Sequence, residues 1–440
     1  MSLNDQKRIS VGTISGYGIG SIGVGIVTTV PSLLLLYYLT NTLSVEPAIA
    51  GIALFLPRFL DVLIDPVIGG LSDRTRSAWG PRKPWMLVGA VGAGIGMSFL
   101  FWTPSYAAPM LSLIHVTGVY ALMVFASAAF VIPYIAVPAD VSDRAADRDR
   151  MIAVRLGFSV LGILLSGALA TPIVEAAGGG REGYRLFSLC LGVLTTAVML
   201  VSFVTIPVRS DVHQIDTDGG ILGPIKRAFG YRPFVELALA YFLQVLAVGI
   251  ALGAWPYFAA FVLGDEGVLS VLFLLALGSM IASMPIWTLI LKRRSKVVAY
   301  GSAAFLYALG SSLLILSYAK DGSRWPSYVG FILTGLGSGG LQLVAFGMLA
   351  TLSNRFAGEG STTSGAFAGL WFAAEKAGYA FAPLILGSLF SVGGVATASA
   401  VSKGAAFTVA VTLAVLPATL NILSTLMIMR RPAIRLVLGE

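Results

Sequence analysis

Long apolar stretches dominate this chain and restrict the folds that it can adopt. Twelve of them are long enough to cross about 30 Å of hydrocarbon. They span residues 12–40, 46–73, 84–103, 107–139, 152–177, 184–207, 232–263, 267–291, 296–318, 325–353, 362–391 and 402–429. Hydrophobic residues make up 57% of the 440 residues and charged residues only 11%, whereas soluble domains carry about a quarter charged residues. We therefore predict an all-α membrane protein with twelve transmembrane helices.

The longest hydrophilic stretch separates the sixth apolar stretch from the seventh. It divides the chain into residues 1–207, a linker at 208–231, and residues 232–440, which end in a short tail. A six-and-six division is typical of transporters that consist of two parallel repeats. We therefore expect two six-helix bundles, although the halves share no obvious repeat of residues.

Lysine and arginine residues give the orientation of the chain in the membrane. Most of the 29 lie in the loops on the side that also holds both termini, and basic loops face the cytoplasm. We therefore expect cytoplasmic termini, a cytoplasmic linker and tail, and a multi-pass location in a cell membrane, the bacterial cytoplasmic membrane. The net charge of +8 follows from these loops, so nucleic acid is not an expected partner.

Three charged residues interrupt the second apolar stretch. Arg58, Asp61 and Asp65 are spaced i, i+3 and i+7, which places them on one face of a helix. Two carboxylates one turn apart repel each other, so the one that Arg58 does not neutralise needs a proton or a cation. Pro66 also leaves the carbonyl of Val62 without its amide donor. A functional site is one interpretation, and an ion-pair network that only fixes helix packing is the other.

Lys376 lies inside the eleventh apolar stretch, next to Glu375. A lysine within the membrane needs a carboxylate partner or must lose its proton. Neighbouring residues on a helix point about 100° apart, so we expect Lys376 to reach toward Asp61 or Asp65 rather than Glu375. Local pairing with Glu375 is the alternative.

Motifs in three parts of the chain resemble one family. The segment from Arg58 to Trp85, the acidic and arginine residues from Asp140 to Arg155, and Lys376 with Gly378 are similar to the melibiose-permease-like family. This is the family of glycoside–pentoside–hexuronide:cation symporters in the major facilitator superfamily. Part of the first segment also resembles the wider superfamily's loop between its second and third helices. The cytoplasmic latch that these resemblances imply comprises Asp73, Arg74, Arg82, Lys83, Asp140, Arg148 and Arg155.

The family resemblance implies cation-coupled symport by alternating access. Asp61 and Asp65 match the cation-binding carboxylates, with Lys376 near them and Arg58 beside them, so Na⁺ at the two aspartates is one option. In sodium-using members an Asn precedes the second carboxylate, and Ile64 stands there in this chain. We therefore favour H⁺ over Na⁺ as the coupling ion.

A sugar-binding residue that the family resemblance implies is absent from this chain. Val131 stands where the resemblance implies a sugar-binding Asp, so a galactoside is disfavoured. A glycoside or another small organic solute is the main hypothesis for the substrate, and a lysolipid or other amphiphile, transported or flipped, is the alternative. The candidate cavity residues are Trp371, Tyr379, Glu375, Val131 and Tyr134.

An enzyme is not expected from this sequence. With one cysteine and two histidines, it contains no metal-binding motif, nucleophile elbow or Gly-rich phosphate loop. We expect no cofactor besides the coupling ion, no catalytic residues, and function as a monomer whose partners are a small-molecule substrate and the lipid bilayer.

Overall fold

The computed structural model describes residues 9–106, 108–142, 144–207, 226, 228–320, 323–356, 362–395, 402–431 and 434. Every regular element in these ranges is a helix. The first six long helices are α1 (Val11–Val30), α2 (Pro47–Arg74), α3 (Lys83–Phe99), α4 (Pro109–Val141), α5 (Ala145–Ala168, continued after Leu169 by a short helix, Ala170–Ala176) and α6 (Gly180–Thr205). The remaining six are α7 (Arg232–Tyr257), α8 (Val268–Leu291), α9 (Lys296–Ala319), α10 (Arg324–Phe356), α11 (Thr362–Val392) and α12 (Lys403–Arg430). Most of the linker predicted at 208–231 lies outside the described residues.

Ten of these helices are long and apolar enough to cross a membrane within the described part of the chain. The other two are α3, which has 17 residues, and α11, whose hydropathy is lowered by the neighbouring charges of Glu375 and Lys376. Large apolar side chains point outward, including Phe305 (71% exposed) and Val204 (72% exposed). Such surfaces are stable only where lipid covers them.

Serine caps mark the start of three helices. The Oγ of Ser10 accepts from the amide of Thr13 at 3.1 Å, and Ser295 and Ser402 cap α9 and α12 in the same way. A side-chain acceptor at this position satisfies an amide that has no partner within the helix. These helices therefore begin where their sequences change from polar loop to apolar stretch.

The chain forms two compact units. The first contains residues 1–31 and 60–214, and the second contains residues 32–59 and 215–440. In the first unit, a Cβ on Gly162 of α5 would lie 2.1 Å from the carbonyl oxygen of Ile22 in α1. In the second, a Cβ on Gly337 of α10 would lie 2.7 Å from the amide of Tyr307 in α9. Such glycines let helices approach closely where lipid provides no hydrophobic driving force.

Wide helical turns occur near the ends of α1 and α7. Residues Pro31–Leu35 and Tyr38–Thr42 follow α1 as π-helix, and Phe258–Val262 follow α7 in the same form. Proline removes one amide donor from the helix, and Pro31 and Pro256 stand at or just before these segments. The first helix of each predicted bundle is therefore irregular at a comparable place. Turns of this π-helical kind occur often at functional sites.

Candidate functional site

The charged stripe predicted on the second apolar stretch lies on one continuous helix. Helix α2 runs unbroken from Pro47 to Arg74, so Arg58, Asp61 and Asp65 share one face. Asp61 is only 4% exposed, while Arg58 and Asp65 are half-buried. A buried carboxylate is costly unless it is compensated, so this arrangement suits binding of a proton or a small cation.

Lys376 and the aspartates lie in different compact units, with Lys376 in the second and Asp61 and Asp65 in the first. The approach of the lysine to these carboxylates stays a prediction. Lys376 is half-buried, as is its neighbour Glu375.

The centre of α11 carries a compact polar and aromatic group. Tyr241 of α7 donates its hydroxyl to Oε2 of Glu375 at 3.0 Å. The ring of Trp371 stacks on Tyr241 with centroids 3.9 Å apart and planes 12° apart. Sequence patterning offers no signal for Tyr241, because a tyrosine inside an apolar stretch far from α11 looks like an ordinary core residue.

The other predicted cavity residues differ in exposure. Trp371 is fully buried and Tyr134 is 1% exposed, whereas Val131 and Tyr379 are half-buried. The hydroxyl of Tyr134 donates to the carbonyl oxygen of Tyr17 at 2.7 Å. Trp371 and Tyr134 are therefore covered by other side chains in this structure, so Val131 and Tyr379 are the more accessible of these four.

Part of the predicted latch is assembled in the first unit. Nη1 of Arg82 lies 2.6 Å from Oδ2 of Asp140, and its Nη2 lies 3.7 Å from Oδ1 of Asp73. The ammonium of Lys83 lies 5.0 Å from the ring of Phe203. Arg82 therefore links the end of α2 to the end of α4.

Three more arginines were predicted for the latch, namely Arg74, Arg148 and Arg155. Their part in it stays a prediction, whereas Arg82 lies close to both Asp73 and Asp140. Arg155 is half-buried, and its charge acts on Tyr17 and Tyr134. Two buried tyrosines of the first unit are thus among the neighbours of this arginine.

Sequence reasoning missed a group of contacts in the second unit, which we name the Tyr37 contact group (Tyr37, Thr40, Asn41, Tyr257 and Glu266). The hydroxyl of Tyr37 donates to Oε1 of Glu266 at 2.7 Å and accepts from Nδ2 of Asn41 at 2.6 Å. The hydroxyls of Thr40 and Tyr257 lie 2.6 Å apart. These bonds fix the π-helical end of α1 to α7 and to the loop that follows it. Polar residues near the ends of apolar stretches were the only signal of this group in the sequence.

Glu46, just before α2, forms a second link inside the same unit. Ser391 of α11 donates to its Oε1, and the amide of Ile49 donates to its Oε2 at 2.9 Å. Desolvation would raise the pKa of Glu46, but the hydrogen bonds from Ser391 and from the amides of Ile49 and Ala48 together lower the pKa below its ordinary value. The carboxylate form therefore holds α2 to the end of α11.

Helices α2 and α11 also touch through two glycines. A Cβ on Gly51 would lie 2.5 Å from the carbonyl oxygen of Pro383, and a Cβ on Gly387 would lie 2.3 Å from that of Pro47. Both distances are too short for any side chain. The first turns of α2 therefore fit closely against α11, with no room for a side chain at either glycine.

Comparison with known proteins identifies the family. Residues 16–433 match the family described as MFS/sugar transport protein. The chain belongs to this family. This match confirms the resemblance that the charged stripe and the lysine motif indicated. MFS glycoside–cation symporters are relatives of this chain. It is a multi-pass membrane protein.

Individual members of the family are distant from this chain. The protein named glycoside/cation symporter YagG of Escherichia coli (strain K12) is 27% identical over 69% of this chain and 66% of its own length. The sodium-dependent lysophosphatidylcholine symporter 1-A of Danio rerio is 23% identical over 82% of this chain and 73% of its own length. In three of the relatives, YagG among them, the aligned part spans less than two thirds of the relative's own length.

Solved structures confirm the fold. A bacterial homologue of the human lysosomal transporter Spinster, in an inward-facing and unoccupied conformation, superimposes with a TM-score of 0.67. The alignment covers 96% of this chain and 97% of that chain, at 15% identity. At this identity the likeness shows the all-helical transporter fold alone.

Proposed function

We propose that this protein is a secondary active transporter that moves a small organic solute together with a cation by alternating access. In this proposal all twelve long helices cross the membrane, and both termini lie in the cytoplasm. Residues 1–207 and 232–440 are the two bundles, joined by the cytoplasmic linker at 208–231. Ten helices of sufficient length and the basic residues of the loops support this topology.

The observation that carries the proposal is the stripe on α2. Asp61 is 4% exposed and lies one turn from Asp65, with Arg58 on the same face. Two carboxylates and one guanidinium leave one negative charge, which a proton or a cation neutralises. Binding of the ion relieves the repulsion and favours the substrate, and the coupling is reciprocal.

A proton fits this site better than a sodium ion. Sodium needs several oxygen ligands, and Ile64 is apolar where sodium-using members of the family are expected to have an Asn. A proton needs only one carboxylate oxygen. Lys376 then serves as the charge that stabilises the deprotonated aspartates.

The proposed substrate is a glycoside or another small polar solute. The residues predicted for the substrate include half-buried Tyr379 and Val131, and Glu375 would supply a hydrogen-bond acceptor. Hydroxyl groups on a substrate can donate to this carboxylate, while aromatic rings pack on the apolar face of a sugar. The name of the YagG relative supports this class.

An amphiphile is the second candidate, on a separate observation. The Danio rerio lysophosphatidylcholine symporter aligns with 82% of this chain, whereas the YagG relative aligns with 69%. Val131 also stands where a sugar-binding carboxylate is expected. A lysolipid would need fewer convergent hydrogen bonds than a sugar.

A thermal-shift screen of the purified protein tests the proposal. Glycosides, free sugars and lysolipids are added with and without Na⁺, at one acidic and one alkaline pH. A ligand at about 100 times its Kd stabilises the native state by about 2.7 kcal/mol. We expect a sugar or glycoside to raise the melting temperature in a pH-dependent and sodium-independent manner.

Matched variants separate coupling from a general effect of charge removal. Asp65→Asn should abolish the pH dependence of the shift, whereas Asp149→Asn, at an exposed position on α5, should behave as the wild type. If only lysolipids stabilise the protein, and Asp65→Asn responds equally, the glycoside proposal and the coupling role of Asp65 are both wrong.

A further inference from the structure

Glu375 is a carboxylate near the middle of α11, in the second compact unit. The proposed coupling site on α2 does not include it. A carboxylate in the middle of a transmembrane helix is costly to keep ionised, so such residues are rare unless they have a function. What Glu375 does depends on which groups surround it.

The hydrogen-bond partner of Glu375 is neutral. The hydroxyl of Tyr241 donates to its Oε2 at 3.0 Å, and Tyr241 is itself only 2% exposed. Stacking on fully buried Trp371 at 3.9 Å leaves the tyrosine ring little freedom to turn. A hydroxyl donor stabilises the carboxylate but does not cancel its charge.

Close helix packing fixes this geometry. A Cβ on Gly378, one turn after Glu375, would lie 3.0 Å from the amide of Leu246. A Cβ on Gly249 would lie 2.7 Å from Ala382. Helices α7 and α11 therefore touch closely beside the Tyr241–Glu375 bond, and the hydroxyl stays within reach of the carboxylate.

The charged and titratable groups around Glu375 come from three helices. On α11 itself these are Lys376, whose charge acts on Glu375, and Tyr379. From α7 the facing group is Tyr241, and from α2 it is Arg58, whose charge acts on Tyr379. Helix α10 presents apolar Phe346, whose ring centroid lies 6.0 Å from that of Tyr241.

A carboxyl group bound to a hydroxyl keeps this bond in both protonation states. The ionised form accepts from Tyr241, and the protonated form can still accept through its carbonyl oxygen. Uptake of one proton from water therefore removes the buried charge without breaking the contact. Release returns the same proton to water, so the step balances.

We propose that Glu375, held by Tyr241, is a second proton-exchanging residue of this transporter, separate from the aspartates of α2. This role rests on the proposed proton coupling and extends it, but the residue lies on a different helix and in a different unit from those aspartates. The second half of the chain would thus have its own protonation site.

Infrared difference spectroscopy of the purified protein in lipid tests the assignment. Spectra are recorded as the pH falls from about 9 to about 5. Carboxyl groups whose pKa values are strongly shifted titrate within this range. The wild type should gain carbonyl-stretch bands of protonated carboxylic acids. Glu375→Gln, which keeps the size and hydrogen-bonding capacity of the side chain, should lose one of these bands.

Two further variants make the result specific. Tyr241→Phe should keep the Glu375 band but change its frequency and the pH at which it appears, because the hydroxyl is gone. Asp65→Asn should lose a different band. Melting temperatures of all variants confirm that each is folded.

Each outcome separates this inference from the proposed function. If Glu375→Gln lacks a band and Asp65→Asn matches the wild type, Glu375 exchanges a proton and the proposed role of Asp65 in proton coupling is wrong. If Glu375→Gln matches the wild type while folded, the inference about Glu375 is overturned, whatever Asp65→Asn shows.

Discussion

The glycine contact between α2 and α11 leads to a prediction about conformational change. In Gly51→Ala, the new Cβ would lie 2.5 Å from the carbonyl oxygen of Pro383. An ordinary carbon–oxygen contact is about 3.3–3.6 Å, so the two helices must separate by roughly 1 Å. Overpacking of this kind costs about 1–3 kcal/mol.

This free energy acts only on conformations in which the start of α2 touches α11. In the alternating-access cycle proposed above, the two separate in another conformation, and Gly51→Ala leaves that conformation unstrained. The equilibrium should therefore move toward separation by a factor of about 5–150. The control is Gly70→Ala on the same helix, because a Cβ there meets nothing within 4 Å.

Thiol labelling measures this shift. Cys190 is the only cysteine of the chain, so Cys190→Ser gives a background without thiols. Leu54→Cys, at a position that is 4% exposed, then reports on opening beside Gly51. We expect a polar maleimide to label it about tenfold faster in Gly51→Ala than in Gly70→Ala.

A reporter in the first unit controls for general loosening. Ala93, fully buried in α3, is replaced by cysteine in the same background, and its labelling should not change. Equal labelling of Leu54→Cys in Gly51→Ala and Gly70→Ala would refute the argument. So would equal acceleration at both reporters, because that would indicate partial unfolding.

Three further predictions concern stability and ion selectivity. Tyr300→Phe should lower the free energy of unfolding by about 1–3 kcal/mol, because the lost hydroxyl donates to buried Gln244 at 3.0 Å; denaturation in detergent measures it. Ile64→Asn adds an oxygen ligand beside the aspartates, so Na⁺ should raise the melting temperature of this variant and not of the wild type. Glu46→Gln should lower the melting temperature near neutral pH, because the carboxylate that binds Ser391 is lost. This difference should begin to decline as the pH falls below the ordinary pKa of 4.5 and should be lost as the pH falls through the lower pKa of Glu46 in the folded protein.

Each of these three predictions has its own control or contradicting result. Tyr318→Phe, at a more exposed tyrosine whose hydroxyl donates to a carbonyl oxygen at 3.3 Å, should change stability little. A sodium response in the wild type would contradict the sodium argument. For Glu46, the melting difference is followed down to about pH 3, which lies below the ordinary glutamate pKa of about 4. A difference that stays constant over this range would show that the charge of Glu46 is unimportant.

Much of the fold could be predicted from the sequence. Apolar length predicted each long helix, because lipid requires that backbone amides be satisfied within the segment. The caps at Ser10, Ser295 and Ser402 show why the predicted starts of those helices are close to the observed ones. The sequence did not predict the π-helical ends of α1 and α7, because composition does not distinguish a π-turn from an α-turn.

The candidate site was only partly accessible to sequence reasoning. Arg58, Asp61 and Asp65 could be placed together because helical spacing alone puts them on one face. The partnership of Glu375 with Tyr241 depends on the packing of two helices far apart in the chain, and hydropathy does not contain that information. Similarly, Arg82 was predicted as one of several latch residues, but its selection of Asp140 depends on where α2 and α4 end.

Helix α2 is continuous from Pro47 to Arg74, yet residues up to Phe59 belong to one compact unit and residues from Leu60 to the other. A stiff rod cannot belong to two bodies that move apart unless it bends or one end changes its neighbours. In the proposed alternating-access cycle, the neighbours of residues 47–59 would therefore differ between conformations. Cutting the protein into halves at the linker would leave this segment without the helices that surround it here.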